Sequence, residues 1–382
     1  GIPAEPLFRS RDGIFFNNTG CNLTNSLFKS NSAASNVPFY FKTTQGTVEN
    51  NTETNNTISK NSFRDLKGII TSGGNVVNLE IDYKFKYGSK EDSKIGDGIP
   101  IEKNLILNGN GHTIDGDAYA TFFEIYGKTL EVTFNNINFV NGLGFGIYIK
   151  SAKSVSFNNC TFHSIEGQES TDAVIYIDYN WDEAVTDSVL INGCRFIYND
   201  IYNIIFANPG DYALTVKDSV FVNPDSTYDV FIKSHNTNNY LDYNWWGNTA
   251  DDKDDSSLAK VDGTSHNLWH YLDVALNEGN AFISLDNIND GNTHAYGLPK
   301  ISLSLTSVNA NLDADSATLE NGHATVGYEV TDLKGSLTLN YENVDFTKDL
   351  EYADDGSFTA LQFIIDHTPD GSVINLTKNY TR

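Results

Sequence analysis

The chain of 382 residues contains no methionine and only three cysteines, Cys21, Cys160 and Cys194. So few cysteines exclude a disulfide-stapled scaffold, in which cysteines are dense. No second Cys or His pair stands at a metal-binding spacing, so we expect neither a metal site nor a cofactor. Because methionine is absent, Gly1 is not a translational start, and we expect a chain that is processed or cut.

Positive charge and long apolar runs are also scarce. The 25 basic residues face 50 acidic ones, which gives a formal net charge of −25. This balance opposes nucleic-acid binding, which needs a basic footprint, and it favours a soluble, self-repelling surface. Neither a signal peptide nor a membrane span is visible. The length is still sufficient for two or three domains with a full core.

A repeated pattern of short apolar runs dominates the chain. Residues 104–116 read NLILNGNGHTIDG, in which a glycine-rich corner separates two such runs. The same design recurs to about Trp246 without helix-period segments between the copies. A strand, a corner and another strand, repeated in this way, predict a parallel β-solenoid.

Two columns define the repeat when its copies are aligned. The first column holds Phe28, Phe139, Phe162, Phe196 and Phe221. The second column, three residues earlier, holds Asn25, Asn136, Asn159, Gly193 and Asp218. These residue types tolerate a left-handed backbone, so the second column predicts a corner that is stacked from coil to coil.

Cys160 and Cys194 share one repeat position, two residues before the phenylalanine. Stacked coils would place them about 4.8 Å apart, a separation that a disulfide tolerates. Their parallel side-chain directions instead favour a reduced pair that faces the core.

A further strand precedes each corner, and its side chains alternate between the two faces. The residues expected to point inward are Phe123 and Ile125, Ile147 and Ile149, Ile175 and Ile177, Ile204 and Phe206, Val230 and Ile232. The outward row is Glu124, Tyr148, Tyr176, Ile205 and Phe231, followed two residues later by Tyr126, Lys150, Asp178, Ala207 and Lys233. From these rows we select six contact-surface candidates, Tyr148, Tyr176, Phe231, Lys150, Asp178 and Lys233. The alternative is that the aromatic rings pack under a loop or under the neighbouring domain.

Sequons of the type N-x-T are plentiful and crowd the first sixty residues, which favours an exported, decorated surface. The glycosylation candidates are Asn17, Asn22, Asn50, Asn55, Asn375 and Asn379. Asn159 also begins a sequon, but it stands in a predicted corner.

The chain divides into four segments. Residues 1–61 are expected to form partial β-helix coils, rich in Asn and Thr, and residues 62–256 a capped parallel β-helix. The cap is a short amphipathic helix that begins after Ser62, and Trp245 and Trp246 either close the far end or form a sugar-stacking platform. Alternating strands in residues 257–350 predict an immunoglobulin-like β-sandwich. Residues 351–382 then repeat the cap, since residues 357–380 match residues 62–83 with two extra residues in the turn.

This order of motifs resembles the adhesin-like surface proteins of methanogenic archaea over nearly the whole chain. The motifs that carry the resemblance are SFxxL at Ser62, DGIPIEKNLILNGNGHTIDG, DYNWWGNT and the renewed SFxxL at Ser357. The resemblance implies a right-handed parallel β-helix joined to immunoglobulin-like repeats, exported to the cell surface and used for attachment. No binding residues carry over from it.

Two functions of different classes are consistent with these patterns. The first is a non-enzymatic, extracellular adhesin-like or fibre-forming protein, with a second copy or a neighbouring-cell glycan or protein as partner. In a sharper version, the cap repeat of one subunit covers the N-terminal coils of the next by strand addition; in the plain version, the chain was cut between repeats. The alternative function is a polysaccharide lyase or hydrolase, for which Glu124, Asp178, Lys150 and Lys233 are the available groups. We expect no enzyme, because no nucleophile-base spacing or phosphate loop is found.

Overall fold

A computed structural model describes most of the chain. The described residues are 61–89, 91–169, 171–178, 186–207, 213–233, 238–277, 279–288, 297–342, 344–376 and 378–382, together with the backbone of strands between residues 14 and 58. The fold is all-β and contains a parallel β-solenoid of about six turns. The predicted fold class is therefore confirmed at the level of an all-β chain with a parallel solenoid.

The N-terminal strands pair in parallel with one another. They are Ile14–Phe16, Cys21–Thr24, Leu27–Lys29, Ser32–Ala33, Phe39–Phe41, Gly46–Glu49, Thr52–Thr54 and Thr57–Ile58. Each of the first four pairs with one of the last four, in the same order along the chain. This is the pairing expected of two stacked coils.

The solenoid has three faces, and every coil except the last contributes one strand to each face. The Phe face contains Tyr83–Lys84, Thr113–Asp115, Asn138–Val140, Thr161–His163, Arg195–Ile197, Val220–Val222 and Asn244–Thr249. The Asn face contains Val76–Asn78, Leu105–Asn108, Glu131–Asn135, the second half of Ile147–Asn158, Thr186–Asn192 and Ala213–Lys217. The stripe face contains Ile99–Ile101, Phe123–Tyr126, the first half of Ile147–Asn158, Ala173–Ile177, Tyr202–Phe206, Val230–Ile232 and Val261–Asp262.

The phenylalanines of the Phe face form a continuous stack inside the solenoid. Ring centroids are 5.0 Å apart between Phe139 and Phe162, and 4.9 Å apart between Phe162 and Phe196. The file continues to Phe221 at 4.6 Å and ends on Trp246 at 4.4 Å. All five rings are buried. The predicted column is therefore confirmed as a packed core from Phe139 to Phe221, while the side chain of Phe28 lies outside the described residues.

The predicted corner column is also confirmed at the four members that the structure describes, whereas Asn25 lies outside the described residues. Asn136, Asn159 and Asp218 have φ values of 52°, 54° and 52°, and Gly193 has 65°. All four backbones are left-handed, the conformation that Asn, Asp and Gly adopt at least cost. Near this corner Cys160 and Cys194 are buried and free, as expected for a reduced pair.

An asparagine ladder runs down the end of the Asn face. The side-chain amide of Asn108 donates to Asn78 Oδ1 at 2.8 Å, and that of Asn135 donates to Asn108 Oδ1 at 2.9 Å. Asn158 continues the series by donating to Asn135 Oδ1 at 3.0 Å. Since each amide both donates and accepts, the ladder fixes the register between successive coils.

The first coil is covered by the helix Phe63–Ser72, as predicted. Ser62 Oγ accepts from Asp65 N at 3.2 Å, and Asp65 Oδ2 accepts from Ser62 N at 3.1 Å, which completes a capping box. Phe63 and Leu66 are fully buried against the solenoid core. A 3₁₀ turn, Asp92–Lys94, follows before the next coil.

The last coil is closed by two tryptophans. Trp246 ends the phenylalanine stack, while Trp245 packs 5.3 Å from the Tyr341 ring in a second core. Both tryptophans are buried, so the capping interpretation is confirmed. The two rings are only 0% and 4% exposed, so they do not form an open sugar-stacking platform.

Antiparallel strands continue the Phe face beyond the solenoid. A 3₁₀ turn, Ser256–Ala259, precedes strand Trp269–Asn277, which pairs in parallel with Asn244–Thr249. Its sheet continues with Asn280–Asn287, His323–Val330 and Ala310–Leu312, and a second sheet contains Ser316–Leu319, Ile301–Val308, Lys334–Tyr341 and Val344–Glu351. Residues of both sheets form the second core. The strands expected in residues 257–350 are thus present, and they form two antiparallel sheets that share one hydrophobic core.

A second helix, Phe358–His367, follows this part. Ser357 Oγ caps it by accepting from Ala360 N at 3.0 Å. Phe363 stacks on Tyr352 at a centroid distance of 4.0 Å, which ties the helix to the end of the antiparallel part.

Candidate binding surface

The stripe face carries the six residues selected from the sequence. Its outward row is in the predicted register, with Glu124 opposite Tyr148, Tyr148 opposite Tyr176, and Tyr176 opposite Ile205. The inward neighbours of this row are buried, so the alternation of the strands directs Tyr148 and Tyr176 outward.

Three aromatic rings form a cluster at the centre of the stripe face. The rings of Tyr148 and Tyr176 are 5.6 Å apart, and each lies 4.9 Å from the ring of Phe145. All three side chains are half-buried. Sequence reasoning missed Phe145 because it stands just before the strand, outside the alternating run.

A second aromatic cluster lies further along the same face. It contains Phe231, which was predicted, and Tyr202 and Tyr228, which were not. Centroid distances within it are 5.4 to 5.7 Å. Tyr202 opens its strand and Tyr228 lies two residues before the next strand, so neither belongs to the outward row that the alternation selects.

One member of the predicted outward row, Ile205, is buried instead of exposed to solvent. Ile205 lies between Tyr176 and Phe231 in register, yet it is only 1% exposed. The expected continuous stripe is therefore interrupted, and Phe231 belongs to a separate cluster from Tyr148 and Tyr176. An apolar side chain at this position gains from being covered, which the alternation pattern alone does not reveal.

Two lysines lie against the rings of the first cluster. Lys150 Nζ is 5.1 Å from the Tyr148 ring centroid, and Lys233 Nζ is 5.1 Å from that of Tyr176. Lys150 also forms an ion pair with Glu124. The structure thus brings Lys150, Lys233, Tyr148 and Tyr176 together as predicted, in cation-π geometry.

The second predicted row needs one correction. Tyr126 was aligned with Lys150, but a register shift after Ile125 places it opposite Ser151. Ser151 is buried and its hydroxyl accepts from Gly127 N at 3.0 Å. The irregularity therefore takes Tyr126, which is 60% exposed, out of register with Lys150.

Burial and a hydrogen bond together keep the central tyrosine, Tyr148, protonated. Tyr148 Oη donates to Asp178 Oδ2 at 2.5 Å. Burial, and then this bond to a carboxylate, raise the pKa of Tyr148 far above its ordinary value. The phenol therefore stays protonated at neutral pH and serves as a donor rather than as a base.

The sequence analysis also did not predict an exposed aromatic pair outside the stripe face. The rings of Tyr87 and Tyr119 stack at 4.1 Å, and the two residues are 52% and 50% exposed. Both stand in turns between strands, where no periodicity marks them. This Tyr87–Tyr119 pair is more open to solvent than the clusters of the stripe face.

A cavity of about 280 Å³ lies where the last coil meets the antiparallel part, lined among others by Trp246, Lys260 and Asp345. Asp229 also lines it and accepts at Oδ1 from Asn203 Nδ2 at 2.7 Å. Burial raises the pKa of Asp229 to about 7. Lys260 Nζ donates to three backbone carbonyls of the neighbouring turn, at 2.7 to 3.0 Å. These contacts hold the turn in place.

The glycosylation candidates fall into two sets. Asn375 and Asn379 are exposed, as a glycan acceptor requires. Asn17, Asn50 and Asn55 lie outside the described residues, and only the backbone of Asn22 is described. Asn159 is exposed but stands in the left-handed corner.

Within the described ranges, no group of three or more His, Cys, Asp or Glu side chains could hold a metal ion. In that same part of the chain no helix is long and apolar enough to cross a membrane. Comparisons of the chain with protein-family models, with curated proteins and with solved structures find no match.

Proposed function

We propose that the protein is a non-enzymatic, extracellular adhesin-like protein of the cell surface, and that its stripe face contacts a glycan or protein of a neighbouring cell. The proposal includes a right-handed solenoid, an immunoglobulin-like antiparallel part and an archaeal source, as the resembling surface proteins imply. The observation that carries it is the first aromatic cluster, in which half-buried tyrosines with two adjacent lysines lie outward on a regular sheet.

The rigidity of the face supports this role. Successive strands stand about 4.8 Å apart and are held in register by the ladder and by the stacked core. Tyr148 and Tyr176 therefore keep a fixed spacing without any ordering cost at binding. Tyrosine rings offer apolar faces with a polar rim, which suits both sugar rings and protein side chains.

Charge also favours recognition over chemistry on this face. Glu124 is paired with Lys150, and Asp178 accepts a hydrogen bond from the Tyr148 phenol. Each acid thus has its own partner on the stripe face. The lysines lie over aromatic rings, where they would attract a partner that carries hydroxyl or acidic groups.

The test is replacement of Tyr148, Tyr176 and Phe231 by serine, followed by cell-attachment and glycan-binding assays. We expect attachment to be lost while the circular dichroism spectrum is kept. The matched control replaces Tyr87 and Tyr119 by serine, because it removes exposed aromatic surface elsewhere on the solenoid. Attachment that survives the triple replacement, or that is lost only in the control, contradicts the assignment to the stripe face.

The second candidate function is a polysaccharide lyase or hydrolase. It is favoured by the presence of two carboxylates, Glu124 and Asp178, and two lysines on one solenoid face. Its test is incubation with acidic and neutral polysaccharides, with release of reducing ends or unsaturated products as the readout. Turnover that disappears in Asp178→Asn would establish this function in place of the first.

A further inference from the structure

The antiparallel part of the chain contains an open cleft between its two sheets. The cleft has a volume of about 540 Å³ and lies between two strands that belong to different sheets, Ser316–Leu319 and His323–Val330. We call them the first and the second cleft strand. The turn that joins them closes one end of the cleft, and a backbone hydrogen bond from Asp313 N to Gly327 O, at 3.0 Å, closes the other. Between these two ends the cleft strands are not paired with each other.

The first cleft strand directs unpaired backbone groups into the cleft. It pairs on one side only, with Ile301–Val308, and Leu305 N donates to Asp315 O at 2.8 Å just before it begins. In an antiparallel pair, residues that exchange hydrogen bonds alternate with residues that do not. Ser316 and Thr318 are of the second kind. Their N–H and C=O groups therefore point away from Ile301–Val308 and toward the cleft.

The second cleft strand contributes one more residue of this kind. It pairs with Asn280–Asn287, and Leu285 N donates to Gly322 O at 2.8 Å. The same alternation leaves Thr325 without a bond to that neighbour, so its N–H and C=O groups point toward the cleft. On the cleft side, the short strand Ala310–Leu312 ends before it reaches Thr325.

The cleft therefore combines unpaired backbone groups with a small apolar floor. Among the described residues, the backbone N–H and C=O groups of Ser316, Thr318 and Thr325 have no hydrogen-bond partner. The floor contains Ala317 and Val326, whose side chains are only 7% and 3% exposed. Unpaired groups along a strand edge are the groups that an added strand of another chain binds, and small side chains below them leave room for it.

The opposite edge of the first cleft strand's sheet is protected against such pairing. That edge is the strand Val344–Glu351, of sequence VDFTKDLE, in which half of the residues are charged. Lys348 Nζ also lies 4.0 Å from Asp273 Oδ1 in the other sheet. Charged side chains are a common protection of an exposed edge. The first cleft strand, of sequence SATL, carries no charge and lacks this protection.

The charge around the cleft favours one kind of added strand. Asp313 and Asp315 are exposed on either side of Ala314, which lines the cleft. The ion pairs of the antiparallel part, Lys300 with Glu320 and Lys348 with Asp273, do not include these two acids. A second copy of a chain with net charge −25 would bring like charge to the cleft, whereas a basic segment would be attracted to it.

We propose that the cleft binds an extended, basic segment of a partner protein, which adds as a strand beside the first cleft strand and bonds to the backbone of Ser316 and Thr318. Side chains of an added strand alternate between its two faces. Apolar side chains on one face then cover the floor of the cleft, and basic side chains on the other face lie in the field of the exposed acids. The contact is independent of the stripe face, so the adhesin-like role and this contact can each fail without the other.

The test uses the full chain and three hexapeptides with blocked ends. The probe alternates lysine and valine, the first control peptide has glutamate in place of lysine, and the second is the probe with a methyl group on every backbone nitrogen. Fluorescence anisotropy of a dye-labelled peptide gives the affinity up to a protein concentration of about 1 mM. Hydrogen–deuterium exchange then shows whether bound probe protects residues 314–326.

Two variants of the chain complete the test. Thr318→Pro removes the edge N–H, and proline is tolerated in edge strands. Thr318→Val is the matched control, because it keeps that N–H and the branched shape of the side chain. We expect the probe to bind the unchanged chain and Thr318→Val equally and to bind Thr318→Pro at least about fivefold more weakly. Both control peptides should also bind at least about fivefold more weakly, and their result does not depend on the folding of a variant.

Four results would overturn the proposal. The probe does not bind the unchanged chain up to about 1 mM, or the methylated peptide binds as tightly as the probe. The glutamate peptide binds as tightly, which removes the role of charge. Protection by the probe lies outside residues 314–326. Finally, the unchanged chain associates with itself and Thr318→Pro abolishes this association, which makes a second copy the occupant of the cleft.

Discussion

Phe196 is the most informative position for testing whether the stacked rings hold the solenoid together. It is fully buried and lies between Phe162 at 4.9 Å and Phe221 at 4.6 Å. Replacement by alanine removes the ring from a closed core, and such changes cost about 3–5 kcal/mol. The two ring stacks, each worth about 0.5–1.5 kcal/mol beyond burial, place the expected loss toward the upper end of that range.

The assay is urea unfolding followed by circular dichroism, with Ile106→Ala as the control. Ile106 lies in a strand of the same solenoid but is 40% exposed, so we expect its replacement to cost less than about 1 kcal/mol. The difference between the two variants measures the stack rather than the general effect of shortening a side chain.

A double-mutant cycle then tests the register of the file. Phe162 and Phe196 are adjacent, so their alanine replacements should be coupled by about 0.5–3 kcal/mol. Phe139 and Phe196 are separated by two strand spacings, about 10 Å, so the same cycle should give less than about 0.5 kcal/mol. Equal coupling in the two cycles, or a loss below about 1 kcal/mol for Phe196→Ala, would refute a core built as a single file.

Three further predictions concern other parts of the solenoid. The raised pKa of Asp229, about 7 when folded against an ordinary 3.8, means that its contribution to stability is fully present below about pH 4 and is lost as pH rises through about 7. As pH rises from about 4 to 7, Asp229→Asn should therefore lose less stability than the unchanged chain, as measured by thermal unfolding; parallel curves would contradict this. Ser62→Ala breaks the capping box with Asp65 and should cost about 1 kcal/mol in urea unfolding, and an unchanged midpoint would show that the helix is held by packing alone. Cys160 and Cys194 should react with a thiol reagent only after unfolding, because both are buried and burial raises the pKa of the Cys160 thiol; rapid labelling of the native protein would argue against this.

The sequence was informative wherever one coil repeats the backbone of the next. A parallel stack places equivalent residues in register, so each copy is under the same structural constraint and carries the same type of residue at that position. Phe162 and Phe196 stack in the core, and Asn136 and Asn159 adopt the left-handed backbone of the corner. Core and corners could therefore be predicted from spacing alone.

The candidate site was predicted only in part, because the side-chain contacts on the stripe face differ from coil to coil. Phe145 joins the tyrosine cluster from a loop, and Ile205 is covered although its strand position is outward. The shift after Ile125 moves Tyr126 away from the predicted row. Each departure depends on packing within a single coil, and a sequence pattern that several coils share does not reveal it.

The departures from the repeat are where function is expected to lie. A stacked solenoid needs its phenylalanine file and its corner asparagines to fold, so those residues are accounted for by stability alone. The packing of the repeat does not account for exposed rings such as Tyr87 and Tyr119, or for open cap residues such as Phe358 and Ile365. The first cap shows that the same Phe and Ile side chains can be buried when a coil lies against them. The two caps therefore differ in what packs on them and not in the type of these side chains.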